Sequence, residues 1–359
     1  MSDAGVILIT GLNSHWGSKL ADRLLSESQY HVIGIDPQTL AKPNQNLDFI
    51  QTDLRNPALT DLLRTENIHT ICHLAFMEHG LPDAPTLDAN LKGSINLFRA
   101  SAEAGVKKVV IKSSTSVYGA RPSNPSFLNE DYPLHGSNTS ASINGLVELE
   151  NYCSSFTRHN PGIKLSVLRF ANIIGSHVNS PLTNLLSRSY PSSLLGFNPQ
   201  FQIIHENDVI EALSLSIHQD IHGAFNIAAD GILPLNKIIG LSGKIRLPVF
   251  HPIAYWGAKL LPELNNFLFL DDPNYLRYPC VGDITRMKEE MGFSPHYSAE
   301  EALADFKLSL SKNAVDPEAS FPPEEEERLR AMIANRQVLN DQPTPNMDIE
   351  TFSTEGSER

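Results

Sequence analysis

Val6-Ile7-Leu8-Ile9-Thr10-Gly11-Leu12-Asn13-Ser14-His15-Trp16-Gly17 is the stretch that decides the fold. The apolar, β-branched run Val6–Thr10 reads as a buried strand. The turn that follows, bounded by Gly11 and Gly17, leads into a helix over Trp16–Ser26 with Leu20, Leu24 and Leu25 on one face. A dinucleotide fold needs a tight turn at this place, with little side chain where the backbone meets a pyrophosphate. It also needs a helix N-terminus that supplies N–H donors. Gly11 and Gly17 meet the first and last requirements, and Ser14 stands where a middle glycine is expected. An ordinary strand–helix turn is the competing reading. The second strand, Tyr30–Ile35, is followed by Asp36, 19 positions after Gly17. An acidic side chain there can accept two hydrogen bonds from an adenosine ribose and repels a 2′-phosphate, which favours NAD over NADP. Gly11, Asn13, Ser14, Gly17 and Asp36 are therefore candidate cofactor contacts.

Outward from this stretch, strands and helices alternate. Asp48–Gln51, Thr70–Leu74, Lys108–Ser113 and Lys164–Phe170 read as strands. Pro57–Glu66, Ala89–Ala104 and Ser142–His159 read as helices, and residues 121–139 as a Pro-, Ser- and Asn-rich loop. This pace predicts an α/β fold, a Rossmann-type doubly wound parallel sheet with helices on both faces. Beyond 175 the pattern is less regular. Ile203–His205, Val209–His218 and Ala224–Ile227 read as strand, helix and strand, and helices are expected over Ala254–Leu264, Ile284–Met291 and Ser298–Ser311. The expected organisation is a cofactor-binding domain over 1–175, to which parts of 200–230 return. A smaller α/β substrate-binding region over 176–311 follows, then a largely disordered tail over 312–359 with one amphipathic stretch at Glu324–Val338.

Composition bounds the function. The chain has 359 residues, 41% of them hydrophobic, enough to bury a core. Its net charge of −13 disfavours binding to nucleic-acid backbones. Residues 313–359 alone hold 11 acidic and 4 basic side chains, so the tail stands apart in charge. Cys72, Cys153 and Cys280 have neither disulfide-framework nor zinc spacing, and the thirteen histidines show no metal-ligand pattern, so no metal is expected. No signal sequence and no membrane span are expected, and a reducing cytoplasm is the default location. Pro252–Leu270, rich in Leu, Phe and Trp, reads as a cap over a substrate pocket, with a membrane- or partner-facing surface as the competing reading.

Seven segments, in order, resemble the extended short-chain dehydrogenase/reductase family, and more narrowly its NAD-dependent nucleotide-sugar epimerases and dehydratases. They are Asp53-Leu54, His73-Leu74-Ala75, Asn90-Leu91-Lys92-Gly93-Ser94 and Ser113-Ser114-Thr115-Ser116-Val117-Tyr118-Gly119, followed by Leu168–Asn172, Ile204–Val209 and Gly292–Leu303. The resemblance spans roughly residues 5–311. It implies that Asp53 meets the adenine amino group and that Leu54, Leu74, Ala75, Asn90 and Ser113 lie along the cofactor. It further implies that Ser114 bonds the reacting hydroxyl, that Asn172 faces the substrate, a nucleotide sugar, and that two copies form a homodimer through the Ser142–His159 helix.

The chain departs from the family at the base. The family's chemistry uses a tyrosine whose pKa is lowered by a lysine four residues later on the same helix face. Aligning the family's helix glutamate on Glu148 puts Ser140 and Asn144 at those positions; aligning it on Glu150 puts Ser142 and Leu146 there. Neither register gives a base and a cation, and Gly145 weakens the helix at that point. The one Tyr-x-x-x-Lys elsewhere, Tyr255–Lys259, reads as amphipathic packing. His135, in the preceding loop, is a candidate substitute proton carrier, and Tyr118 reads as a packing residue. Two readings stay open: an enzyme with a non-standard catalytic site, or a non-catalytic protein that binds NAD or a nucleotide sugar as a sensor, scaffold or subunit.

Overall fold

The computed structural model describes residues 5–27, 30–40, 47–76, 84–250 and 272–315. The chain divides into a compact unit over Met1–Leu310 and a second over Ser311–Arg359. In the first unit the opening elements are β1 (Val6–Thr10), α1 (His15–Ser26), β2 (His31–Asp36), β3 (Asp48–Gln51), α2 (Leu59–Thr65), β4 (Ile68–His73), α3 (Ala84–Ala104), β5 (Lys108–Ser114), α4 (Ala141–His159) and β6 (Lys164–Phe170). Next come β7 (Asn172–Ile174), α5 (Pro181–Ser187), β8 (Ser192–Leu194), β9 (Gln200–Phe201), β10 (Ile203–His205), α6 (Glu206–His218) and β11 (Gly223–Ile227). The last are β12 (Leu233–Pro234), α7 (Leu235–Leu241), β13 (Leu247–Val249), α8 (Thr285–Glu289) and α9 (Ala299–Val315).

Seven strands form one parallel sheet in the order β11-β6-β5-β4-β1-β2-β3. The expected α/β doubly wound sheet is thus the observed one. The order reverses at β1: the chain runs outward through β2 and β3, then returns to lay β4 on the other side of β1. Ligands of such sheets bind in the crevice outside the carboxyl ends of strands that diverge in this way.

The alternation of side chains along each strand builds two cores. Ile7, Ile9, Val110, Leu168 and Phe170 pack with Leu20 and Leu24 of α1 and Val209, Leu213 and Ile217 of α6. Leu8, Ile71, Val109, Ile111 and Val167 face the other way, onto Leu97 and Phe98 of α3 and Leu146, Leu149, Cys153 and Phe156 of α4. A third cluster, including Leu182, Leu185, Phe201, Ile238, Leu276 and Phe306, fills the lobe built on the two-stranded pairs β10-β7, β12-β9 and β13-β8.

The sequence expectations differ from the structure in three places. Helix α3 begins at Ala84 rather than Ala89, since Pro85 is tolerated in a first turn, where its missing N–H has no intrahelical acceptor. The strands β7, β8, β9, β12 and β13 span two or three residues each and carry no periodic signal. Helix α4 runs unbroken through Gly145, where a Cβ would lie 3.0 Å from Phe76 Cζ. Close packing, not a weak point, explains that glycine. The stretch 254–264, the proposed cap over 252–270 and the tail segment 324–338 lie outside the described residues.

One buried ion pair fastens α4 to the sheet. Glu150 Oε2 accepts from Arg169 Nε at 2.9 Å and Nη2 at 2.7 Å, while Glu150 Oε1 accepts from the Ser113 hydroxyl at 2.5 Å. Arg169 Nη1 donates to Tyr118 Oη (2.7 Å) and to the Glu130 carbonyl (2.9 Å). Both charged side chains are nearly fully buried. A buried pair contributes little net stability, yet removing one partner strands the other charge. Arg169→Met is therefore expected to lower the unfolding free energy by about 3–5 kcal/mol, read from urea denaturation. A loss below about 1 kcal/mol would show the pair to be solvated.

Candidate functional site

At the β1–α1 turn, Gly11 has φ +72°, and a Cβ there would lie 2.7 Å from Ala75 Cα. A Cβ on Gly17 would come within 2.3 Å of the Gly11 carbonyl oxygen. Both positions exclude any side chain. Ser14 is the N-cap of α1. Its hydroxyl donates to the Gly11 carbonyl at 2.7 Å and accepts from the Gly17 N–H at 3.0 Å. The serine thus folds back to close the turn instead of entering the crevice. The N–H groups of His15 and Trp16, in the first helical turn, have no protein acceptor among the described residues and stay available for an anion. Their side chains turn elsewhere. The His15 imidazole meets Glu206 at 2.9 Å, and the Trp16 ring lies 5.0 Å from the Lys112 ammonium. Burial pushes the Glu206 carboxyl up, but hydrogen bonds and charge from His15 and bonds from Ser176 outweigh it and hold the pKa at about 2.

Asp36, at the end of β2, is buried at 8% exposure. It accepts the Asn13 N–H at 3.1 Å on Oδ2 and the Gln38 N–H at 3.0 Å on Oδ1. Each oxygen keeps acceptor capacity for a ribose hydroxyl. The Asn13 amide group ties the turn to the Gln38 and Thr39 carbonyls. Asn90 Nδ2 is buried without an acceptor among the described residues, an orphaned donor that a bound group would satisfy. These features fit a dinucleotide.

Other expected contacts are held by protein partners. The Asp53 carboxylate accepts from the Arg55 backbone N–H and guanidinium, which hold its pKa below the usual carboxylate range. Leu54 is half-buried against Gly93, Leu74 is buried and Ala75 half-buried. The Ser113 hydroxyl belongs to Glu150.

The crevice wall is stitched by a hydrogen-bonded chain that the sequence motifs contained but did not reveal. The Thr10 hydroxyl accepts the Leu74 and Ala75 N–H groups at 3.2 and 3.3 Å, so its proton goes to His73 Nδ1 at 2.7 Å. His73 Nε2–H then donates to Ser94 Oγ at 2.9 Å, and Ser94 donates to the Asn90 carbonyl at 2.8 Å. Burial pushes the His73 pKa down to about 4, so the ring is neutral near pH 7.

Further along the sheet a cavity of 80 Å³ is lined by Ser114, Ser116, Leu146, Asn172, Asp272 and Tyr275, among others. The Ser114 hydroxyl accepts from Ser116 N–H at 3.2 Å and Ser116 Oγ at 2.9 Å, which leaves its own proton to donate. Asn172 donates to the Gln202 carbonyl at 2.9 Å and lines the same cavity. Glu150 is buried on Arg169 and Glu148 is exposed; of the two candidate cation positions, Leu146 lines the cavity and Asn144 bonds the Ser137 backbone. Leu146 and Ile143 face the cavity, which makes that wall apolar.

His135 is exposed, lies edge-on to Tyr132 at 5.9 Å and does not line this cavity. Tyr118 is buried; burial pushes its phenol up to about 12, with Arg169 opposing, so it packs and does not ionise. Tyr255 and Lys259 lie outside the described residues. Asp272 and Tyr275 are new members of the site. The local signal for them was Asp272-Pro273-Asn274, a capped turn, and nothing local linked it to Ser114. Among the described residues no group of His, Cys, Asp and Glu could hold a metal ion.

Comparison with known proteins agrees with this geometry. Residues 7–228 match the model of the NAD dependent epimerase/dehydratase family. An uncharacterized protein of Mycobacterium tuberculosis is 30% identical over 312 residues, covering 84% of this chain and 83% of its own length. A UDP-glucose 4-epimerase of Mycolicibacterium smegmatis is 33% identical over 181 residues, 47% of this chain and 56% of that protein. Among solved structures, the UDP-glucose 4-epimerase of Thermotoga maritima with UDP-glucose superposes with a TM-score of 0.66 at 21% identity, covering 86% of this chain and 99% of that one. MoeE5 with UDP-glucuronic acid and NAD gives a TM-score of 0.66 at 21% identity over 86% and 100%. These structural likenesses establish the fold.

Two outcomes are expected. Ser14→Gly should leave NAD affinity within about threefold and cost only a few tenths of a kcal/mol of stability. Gly17→Ala should weaken NAD binding by about tenfold or more, roughly 1.4 kcal/mol. Calorimetric titration checks both, and equal effects would contradict the backbone argument. For His73, the folded pKa of about 4 lies below the ordinary imidazole value of 6.5. The unfolded chain therefore takes up a proton first as pH falls. Stability is expected to drop between pH 6.5 and about 4, by at most about 3 kcal/mol, and His73→Asn should flatten that slope in urea midpoints measured across the range.

Proposed function

Because the chain belongs to the NAD dependent epimerase/dehydratase family, we propose that it acts on a nucleotide sugar through a catalytic site of non-standard composition. When bound, NAD supplies a hydride acceptor and, on the return step, a donor. The turn at Gly11 and Gly17, with the His15 and Trp16 N–H groups, would hold its pyrophosphate, Asp36 its ribose hydroxyls, and Asn90 a polar group along it. Ser114 would bond the reacting hydroxyl, and Asn172 would meet the substrate. The observation that carries this reading is the Ser114 hydroxyl, whose proton is left to donate into a cavity shared with Asn172. The nucleotide-sugar class is supported by the relatives: UDP-glucose and UDP-glucuronic acid accompany the structures cited above.

The second reading, binding without turnover, is favoured by Leu146, an alkyl side chain that lines the cavity at one of the two positions open to the family's cation. A reducing, cytoplasmic setting is part of the proposal. Cys72, Cys153 and Cys280 are all free thiols, and among the described residues no helix is long and apolar enough to cross a membrane.

The test offers purified protein NAD with UDP-glucose, UDP-glucuronic acid and dTDP-glucose, following reduced-cofactor absorbance and product sugars. Turnover that falls about 10²–10⁴-fold in Ser114→Ala is the expected result. NAD and sugar binding with no turnover across the panel would decide for the second reading, and absence of NAD binding would refute both.

A further inference from the structure

We propose that Asp272 is the proton acceptor of this site, an inference that rests on the enzymatic reading above. Among the described residues lining the cavity beside Ser114 there is no lysine, but there is a carboxylate. Among the described residues lining it, Asp272 is the one with an acidic side chain, and it is only 3% exposed. A carboxylate oxygen can accept a proton directly, whereas a phenol, with a pKa of ~10, must first be ionised with the help of a cation. Tyr275, the cavity's phenol, already donates its proton to the Ser116 carbonyl at 2.7 Å.

Asp272 is held from two sides. Its Oδ1 accepts the Asn274 N–H at 2.9 Å, and its Oδ2 accepts the Ser137 hydroxyl at 2.6 Å. A carboxylate offers about four acceptor sites, so two bonds leave room for a substrate proton. Ser137 is itself fixed. Its oxygen accepts the Thr139 and Ser140 N–H groups at 3.1 and 3.0 Å. Its backbone N–H and carbonyl are clamped by Asn144 Oδ1 at 3.0 Å and Nδ2 at 2.8 Å. Ser137, in the loop just before α4, is thus the anchor for a carboxylate that arrives from a distant segment, and Asn144 in the first turn of α4 clamps that anchor.

Asp272 also lines a second, larger cavity of 480 Å³, with Arg121, Gly136, Asn138, Asn274 and Tyr278. Asp272 therefore borders both the tight cavity at Ser114 and a roomier one, through which a proton taken from substrate would pass to water. In the forward step the substrate O–H bond breaks and its proton joins an Asp272 oxygen. The electron pair left on the substrate oxygen would become the second bond of a carbonyl, and NAD, when bound in its oxidised form, would supply the acceptor for the hydride released from the adjacent carbon. The substrate loses two electrons and the cofactor gains them. Ser114 is the hydrogen-bond donor to that oxygen, and Ser137 is a positioning residue.

The experiment compares wild type with Asp272→Asn, which keeps the shape and the turn cap but not the basicity. NAD affinity by calorimetry should stay within threefold and the fold should be retained, with a melting temperature lowered by a few degrees for the one acceptor lost, while kcat falls about 10²–10⁴-fold. The acid limb of the wild-type pH–rate profile should disappear, and formate should partly restore Asp272→Gly. Ser137→Ala should lower kcat by roughly tenfold and shift that limb, whereas Tyr275→Phe should change kcat by less than tenfold. Wild-type turnover with Asp272→Asn retaining more than a tenth of the rate, or Tyr275→Phe abolishing it, overturns this assignment and leaves the proposed function standing. Absence of wild-type turnover on the whole sugar panel overturns both.

Discussion

The backbone of β1 passes so close to the end of β4 that nothing larger than hydrogen fits at Gly11. Most of the site follows from this approach. It forces a left-handed residue at the turn, which aims the first N–H groups of α1 at the crevice. It brings Thr10 against the Leu74 and Ala75 amides, so one hydroxyl serves both strands and passes its proton on to His73. The histidine then reaches α3 through Ser94. Strand ends and helix are thereby fixed to one another at the place where the sheet order reverses.

The second part of the site depends on a charge kept out of solvent. Arg169 draws together Glu150, Tyr118 and the Glu130 carbonyl, and Glu150 holds Ser113, the residue before Ser114. The serine that faces the cavity is therefore set by a rigid polar cluster beneath it, while the opposite wall, Ile143 and Leu146, is apolar. Among the described residues lining that cavity no lysine stands beside the hydroxyl, an arrangement suited to donating a hydrogen bond.

The central sheet was legible because its strands are long, β-branched and separated by amphipathic helices of several turns, so periodicity and length agree. The turn and Asp36 were legible for the same reason: both sit at fixed offsets from well-marked elements. The register of α4 was not, because Glu148 and Glu150 both offered a fit and only burial against Arg169 separates them. Asp272 was out of reach for a different reason. Its partner Ser137 lies 135 positions away, and no spacing within a segment reports a contact made by the fold. The lobe beyond β6 was only partly legible, since strands of two or three residues carry no period and are held by their neighbours.

Ser14 has a consequence for the thermodynamics of ligand capture. A glycine at the middle of such a loop leaves the empty protein free to sample many backbone shapes, and that freedom is lost when a ligand docks. Here a hydroxyl latches the loop to itself through Gly11 and Gly17 before any ligand arrives. The entropic penalty of docking is moved from the association event to folding, a form of preorganisation. A substitution that looks like erosion of a phosphate loop can in this way offset the contact it removes.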